Sequence, residues 1–132
     1  MEITKKILCV DDDVEDLSFP SDVISDIHPE YEIVQLQNGI EAINYLSTAK
    51  ANKQLPNLVL LDINMPFLDG KETLEKIRTD LELENLPVII FTASRNPNDI
   101  ALFKSKGVEM YTKPSEYSTL QNLVKKLLLQ CA

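Results

Sequence analysis

The chain has 132 residues, 44% of them hydrophobic and 26% charged, with a net charge of −8 at pH 7. That length makes one domain with a core of its own, and the acidic balance argues against a nucleic-acid partner, which selects for a basic face. No apolar run approaches the ~20 residues of a membrane span, and the opening MEITKKILCVDDD, whose short apolar run meets acids at once, does not read as a signal peptide.

In chain order, Ile7 to Val10 is the first predicted strand, ending in Asp11-Asp12-Asp13. Val14, Leu17, Ile24 and Ile27 then keep helical spacing up to His28-Pro29, with Pro20 placed to kink or delay the helix. Tyr31 to Leu36 reads as a strand, Asn38-Gly39 as a turn, and Ile40, Ile43, Leu46 and Ala49 as the inner face of a helix. After the polar stretch 50–54, Pro56 introduces a buried strand, Leu58 to Leu61. It ends on Asp62 and a Pro-containing loop, Asn64-Met65-Pro66. Beyond Gly70, Leu74 and Ile77 mark a short helix. Val88 to Phe91 is another buried strand, ending in Thr92-Ala93-Ser94. Asn96-Pro97 starts a helix with Ile100 and Phe103, and Gly107 closes it. Val108 to Thr112 is a last strand, followed by Lys113-Pro114. Ser115 is an N-cap candidate, and Tyr117, Leu120, Leu123, Val124, Leu127 and Leu128 form an amphipathic stripe.

Five strands alternating with five helices call for an α/β fold, a parallel sheet with helices on both faces. Residues 1–132 read as one domain, without internal repeat, low-complexity segment or linker, and with no output domain attached. Cys9 sits within the first strand and Cys131 next to the end. They read as two free thiols of a reducing cytoplasm rather than a bridge. One His and two distant Cys exclude a zinc-type site.

The chemistry-bearing residues fall at strand ends: Asp11 and Asp12 on the first, Asp62 on the third, Thr92 on the fourth and Lys113 on the fifth. In a doubly wound sheet of order 2-1-3-4-5 the first and third strands are neighbours where the winding reverses, the place where open α/β folds bind ligands. Three carboxylates would meet there. Carboxylates within ~4–6 Å of one another do not all ionise cheaply. A hard divalent cation resolves this, and oxygen-only ligands suit Mg²⁺. So neutralised, Asp62 becomes a nucleophile for in-line phosphoryl transfer. Lys113 and the Thr92 hydroxyl would then each meet a phosphoryl oxygen, and the small Ala93 leaves the approach open.

Taken together, ILCVDDD, QNGIEAI, LVLLDINMPFLDG, PVIIFTAS and YTKP resemble, in order and spacing, the receiver domain of two-component response regulators in its single-domain form. The resemblance runs from Lys6 to Leu128. It implies the flavodoxin-like receiver fold, with Asp62 as the phosphoacceptor of a phosphorelay. It implies Mg²⁺ held by Asp12 and Asp62, by Asp11 through water, and by the backbone carbonyl of Asn64. Thr92 and Lys113 become the switch pair, with a cis Lys113-Pro114 bond where the base rate of ~5–6% alone would say trans. The implied partners are a histidine kinase or histidine phosphotransfer protein and a downstream protein target, in the cytoplasm, with no membrane or nucleic acid. The chain would be a monomer or weak dimer, and not an enzyme beyond its own phosphorylation and dephosphorylation.

Three positions depart from the pattern. The family's aromatic switch residue lies three before the lysine, where this chain has Met110; counted forward from Gly107, Tyr111 takes that place. Ser115 replaces an apolar residue, and Pro20 interrupts a helix that many receivers use for docking. Asp13 reads as a helix-start residue, and Asn64 and Ser94 flank the pocket, either as plain loop residues or tuning phosphate lifetime. The principal alternative is a phosphatase of the haloacid-dehalogenase-like type, with Asp11 as nucleophile in a strand-Asp-x-Asp motif; only Glu116 follows Lys113 where that scheme needs an acidic pair. Flavin binding wants a Ser/Thr/Gly-rich loop where this chain has Asp-Asp-Asp. A receiver that binds partners without phosphorylation is the remaining alternative.

Overall fold

A computed structural model describes residues 5–13, 22, 24–26, 30–80, 83–113, 119, 121–122 and 125–126. The elements are β1 (Lys5–Val10), β2 (Tyr31–Leu36), α1 (Gly39–Ala51), β3 (Leu58–Leu61), α2 (Gly70–Thr79), β4 (Val88–Thr92), α3 (Pro97–Ser105) and β5 (Met110–Thr112). Helical residues also occur at 22 and 24–26, between β1 and β2, and at 119, 121–122 and 125–126, after β5. The expectations placed on Val14, Leu17, Pro20, Ile27, Ser115, the Tyr117–Leu128 stripe, Cys131 and the Lys113-Pro114 bond fall outside the described residues.

All strand pairs are parallel, and the sheet order is β2-β1-β3-β4-β5. This is the doubly wound order expected from the sequence. Every residue of β3 and β4 is buried, as central strands covered on both faces require. Alternate side chains point to opposite faces, so each strand feeds two cores. Leu8, Val10, Val59, Leu61, Val88 and Ile90 belong to one apolar cluster, with Leu74, Ile77 and Phe103 from the helices. Ile7, Cys9, Leu58, Leu60, Ile89 and Phe91 belong to the other, with Ile24.

Two boundaries differ from the sequence reading. Asn38-Gly39 is a helix start rather than a free turn: the Asn38 side chain accepts the Glu41 N–H at 2.8 Å and caps α1. Gly39 is buried there, and a Cβ would come 2.5 Å from the Leu68 carbonyl oxygen and 2.9 Å from its Cβ, so the close approach requires glycine. β5 starts at Met110, not Val108, because Gly107 and Val108 close α3. Gly107 takes φ +69°, its N–H donates to the Lys104 carbonyl at 3.1 Å, and the Val108 N–H donates to Phe103 at 2.9 Å. Val108 and Phe103 are both buried in the same cluster. That is the bonding of a Schellman C-cap with its hydrophobic contact.

Candidate functional site

The register between β1 and β3 sets Val10 opposite Leu61, so the residues after each strand, Asp11 and Asp62, emerge side by side. The ladder runs on: the Asp62 N–H donates to the Val10 carbonyl at 3.0 Å, and Asp11 to that of Leu36 at 3.0 Å. Carboxylate oxygens of Asp11, Asp12 and Asp62 lie within 4.8 Å of one another. Asp11 and Asp62 are 6% and 7% exposed, and Asp12 is exposed. Lys113, at the end of β5, forms an ion pair with the Asp11 Oδ2, and its Nζ stands 3.8 Å from the Asp62 Oδ2.

Local bonds aim these groups. Asp62 Oδ1 accepts the Ile63 N–H at 2.9 Å, which leaves Oδ2 toward Lys113. Asp11 Oδ1 accepts the Asp13 N–H at 3.0 Å, a turn in which Asp13 contributes backbone. Burial pushes the Asp11 carboxyl up from 3.8 to about 6. The Lys113 ammonium and the Asp13 N–H oppose that shift, and the Asp62 charge adds to it.

Thr92 is fully buried at the end of β4. Its Oγ1 accepts the Ser94 N–H at 3.3 Å, and its carbonyl accepts the Lys113 N–H at 2.8 Å, so it is tied to the lysine through the backbone. Ala93 is exposed, and so is Asn64, in the loop past Asp62. Met110 packs with the same cluster as Ile90, its partner in the register, whereas Tyr111 packs on the opposite face of the sheet. By strand alternation Thr92 shares the Met110 face. Tyr111 is engaged elsewhere: its hydroxyl donates to Glu109 at 3.0 Å, and the Lys126 ammonium sits 5.4 Å from its ring centroid.

Sequence reasoning missed two supports. Gly70 packs directly on the backbone of Asp62: a Cβ there would lie 2.7 Å from the Ile63 Cα and closer still to the Asp62 carbonyl oxygen. The neighbouring Asp69-x-x-Glu72 capping box that starts α2 was the readable signal. Second, Asp99, 8% exposed, pairs with Lys71 at 2.8 Å and accepts the Ser94 hydroxyl at 3.0 Å. Lys71 beside it holds the Asp99 carboxyl below the usual carboxylate range. Nothing in the spacing announces that pair.

The acidic cluster fits a hard divalent cation. Its donors are all oxygen, two of the three carboxylates are buried, and one oxygen of each lies within 4.8 Å of the others, the oxygen-only set that suits Mg²⁺.

The model of the response regulator receiver domain matches residues 7–125. The chain belongs to the response regulator receiver family. It is 32% identical over 123 residues to the response regulator Rcp1 of Synechocystis sp. (strain ATCC 27184 / PCC 6803 / Kazusa), covering 92% of this chain and 82% of Rcp1. Among solved structures, the phosphorylated cyanobacterial phytochrome response regulator RcpA superposes with a TM-score of 0.82 at 32% identity, over 93% of this chain and 90% of RcpA. The Mn²⁺-bound form of Rcp1 gives a TM-score of 0.79 at 28% identity, over 93% and 91%. This receiver is therefore a module of two-component signalling. The phosphatase alternative is not favoured. No helix among the described residues is long and apolar enough to cross a membrane.

Proposed function

We propose that this receiver takes a phosphoryl group on Asp62 from a histidine kinase or histidine phosphotransfer protein. One observation carries the reading: the Asp11 and Asp62 carboxylates and the Lys113 ammonium, from three separate strands, converge in one buried corner. An Asp62 carboxylate oxygen bonds to phosphorus as the donor's P–N bond breaks, and the donor imidazole leaves with the electron pair. Lys113 then holds a phosphoryl oxygen, and the Thr92 hydroxyl turns from Ser94 to donate to another. Asp12, Asp62 and the Asn64 carbonyl would hold Mg²⁺, with Asp11 acting through water, and the bound ion would neutralise charge on the two anions. The acyl phosphate later hydrolyses back to the carboxylate.

Movement of Thr92 repacks its own face of the sheet. The change therefore reaches α3 and β5 through Met110, not through Tyr111, and alters a surface that a downstream protein reads. Such a module works in the cytoplasm, as monomer or weak dimer, without nucleic acid or membrane, and catalyses only its own phosphorylation and dephosphorylation. The test is labelling by radioactive acetyl phosphate with Mg²⁺. The parent protein takes label that chelator prevents, and Asp62→Asn takes none. Label persisting in Asp62→Asn, or moving to Asp11, overturns the assignment.

A further inference from the structure

Asp99 does more than start a helix. It stands in the first turn of α3, yet its two oxygens are used across the pocket mouth. One oxygen holds Lys71 at 2.8 Å, and Lys71 directly follows the glycine that packs on Asp62. The other takes the Ser94 hydroxyl at 3.0 Å. Ser94 in turn donates its N–H to Thr92 at 3.3 Å and accepts the Asn96 N–H at 3.3 Å. A continuous chain of polar contacts thus runs from the first turn of α2, through a buried carboxylate, to the residue proposed to meet the phosphoryl group.

We propose that Lys71, Asp99 and Ser94 form a latch that holds the β4–α3 loop, and Thr92 with it, in the unphosphorylated arrangement. The proposal rests on the reading of Asp62 as phosphoacceptor and names what restrains that site. The Thr92 oxygen accepts from Ser94, so what breaks that bond is a rotation that carries the oxygen toward the phosphoryl group. As the oxygen moves away, the Ser94 N–H must follow it or lose a partner. The latch opposes that step, so its strength sets how fast the site is modified. Asp99 is covered but the Lys71 ammonium stands in water, so the ion pair itself is modest and the latch depends on both Asp99 oxygens being engaged at once.

The experiment compares the parent with Asp99→Asn, Lys71→Gln, Ser94→Ala and the double variant Lys71→Gln/Asp99→Asn. Labelling by acetyl phosphate with Mg²⁺ accelerates roughly three- to tenfold in each single variant, the range for losing one ordinary net hydrogen bond, since the Lys71 end of the contact is open to water. The double variant labels no faster than Asp99→Asn, the signature of residues that act as one unit. Lys76→Gln, on the exposed side of α2, keeps the parent rate. Amide hydrogen exchange on unmodified protein gives a second readout: Ser94 and Asn96 exchange faster in Asp99→Asn than in the parent. Unchanged or slower labelling in Asp99→Asn overturns the latch, as does loop exchange equal to the parent's, even if the melting temperature falls. Absence of label in the parent itself overturns the phosphoacceptor reading instead, and the latch falls with it.

Discussion

Adding one methyl group at Gly70 tests how tightly Asp62, the proposed phosphoacceptor, is cradled. In Gly70→Ala the new Cβ would stand 2.7 Å from the Ile63 Cα and 2.9 Å from the Asp62 carbonyl carbon, with the carbonyl oxygen nearer still. These are backbone atoms, which cannot swing aside as the end of a side chain can. The β3–α2 loop must therefore shift, at the ~1–3 kcal/mol typical of overpacking. The Gly70 N–H bond to the Ile63 carbonyl, 2.8 Å long, is stretched with it, for another ~0.5–1.5 kcal/mol. The sum, about 1.5–4.5 kcal/mol, is a large part of the ~5–15 kcal/mol that holds a domain together. Urea unfolding reads it as a lower midpoint at unchanged slope. Because Asp62 is displaced, acetyl phosphate labelling falls as well, by about 10²-fold for a shift near 1 Å. Gly107→Ala is the contrast. Among the described residues nothing lies within 4 Å of its would-be Cβ, and only the backbone at φ +69° resists, for about 1 kcal/mol. If Gly70→Ala costs no more than Gly107→Ala, the packing argument is wrong.

Asp11 makes two pH predictions. Its folded carboxyl titrates near 6, above the unfolded value of 3.8, so the native state binds the extra proton and stability falls as pH rises through that window. Allowing for solvent screening, the loss from pH 4 to 6.5 is about 1–2 kcal/mol without metal; Asp11→Asn removes it, and a slope unchanged in that variant refutes the assignment. Protons also compete with the cation, so magnesium affinity followed by amide NMR weakens below about pH 6; affinity flat to pH 5 would contradict the coupling. Phe67 is 81% exposed at φ +68°, the centre of a turn closed by the Leu68 N–H on Pro66 at 2.8 Å. Phe67→Asn relieves that positive φ without uncovering a buried contact and stabilises by about 0.5–1 kcal/mol in urea unfolding; destabilisation would show that the ring has a packing role.

Much of the fold was legible because strand burial writes itself into local composition. LVLL and VIIFT are apolar throughout, and only strands covered on both faces need that. A carboxylate directly after such a run has one place to go, the carboxyl edge of the sheet, so Asp11 and Asp62 could be paired before any coordinates. Helix starts were less legible. Asn38-Gly39 carries the signal of a turn and of a cap alike, and the bond from the Glu41 N–H to the Asn38 side chain is what makes it a cap.

The sequence by itself determined which residues could do chemistry and the edge of the sheet where they stand, since period and run length are properties of neighbours along the chain. Tertiary structure alone decided who touches whom. Lys113 pairs with Asp11 across 102 residues, and Asp99 reaches back to Lys71 in a different helix. It also decided which face each residue of β5 takes. Counting from Gly107 or from Lys113 gives different answers, but the pairing of Met110 with Ile90 admits one. Those outcomes depend on register and on packing between layers, where the energy lies in contacts between segments that local sequence cannot specify.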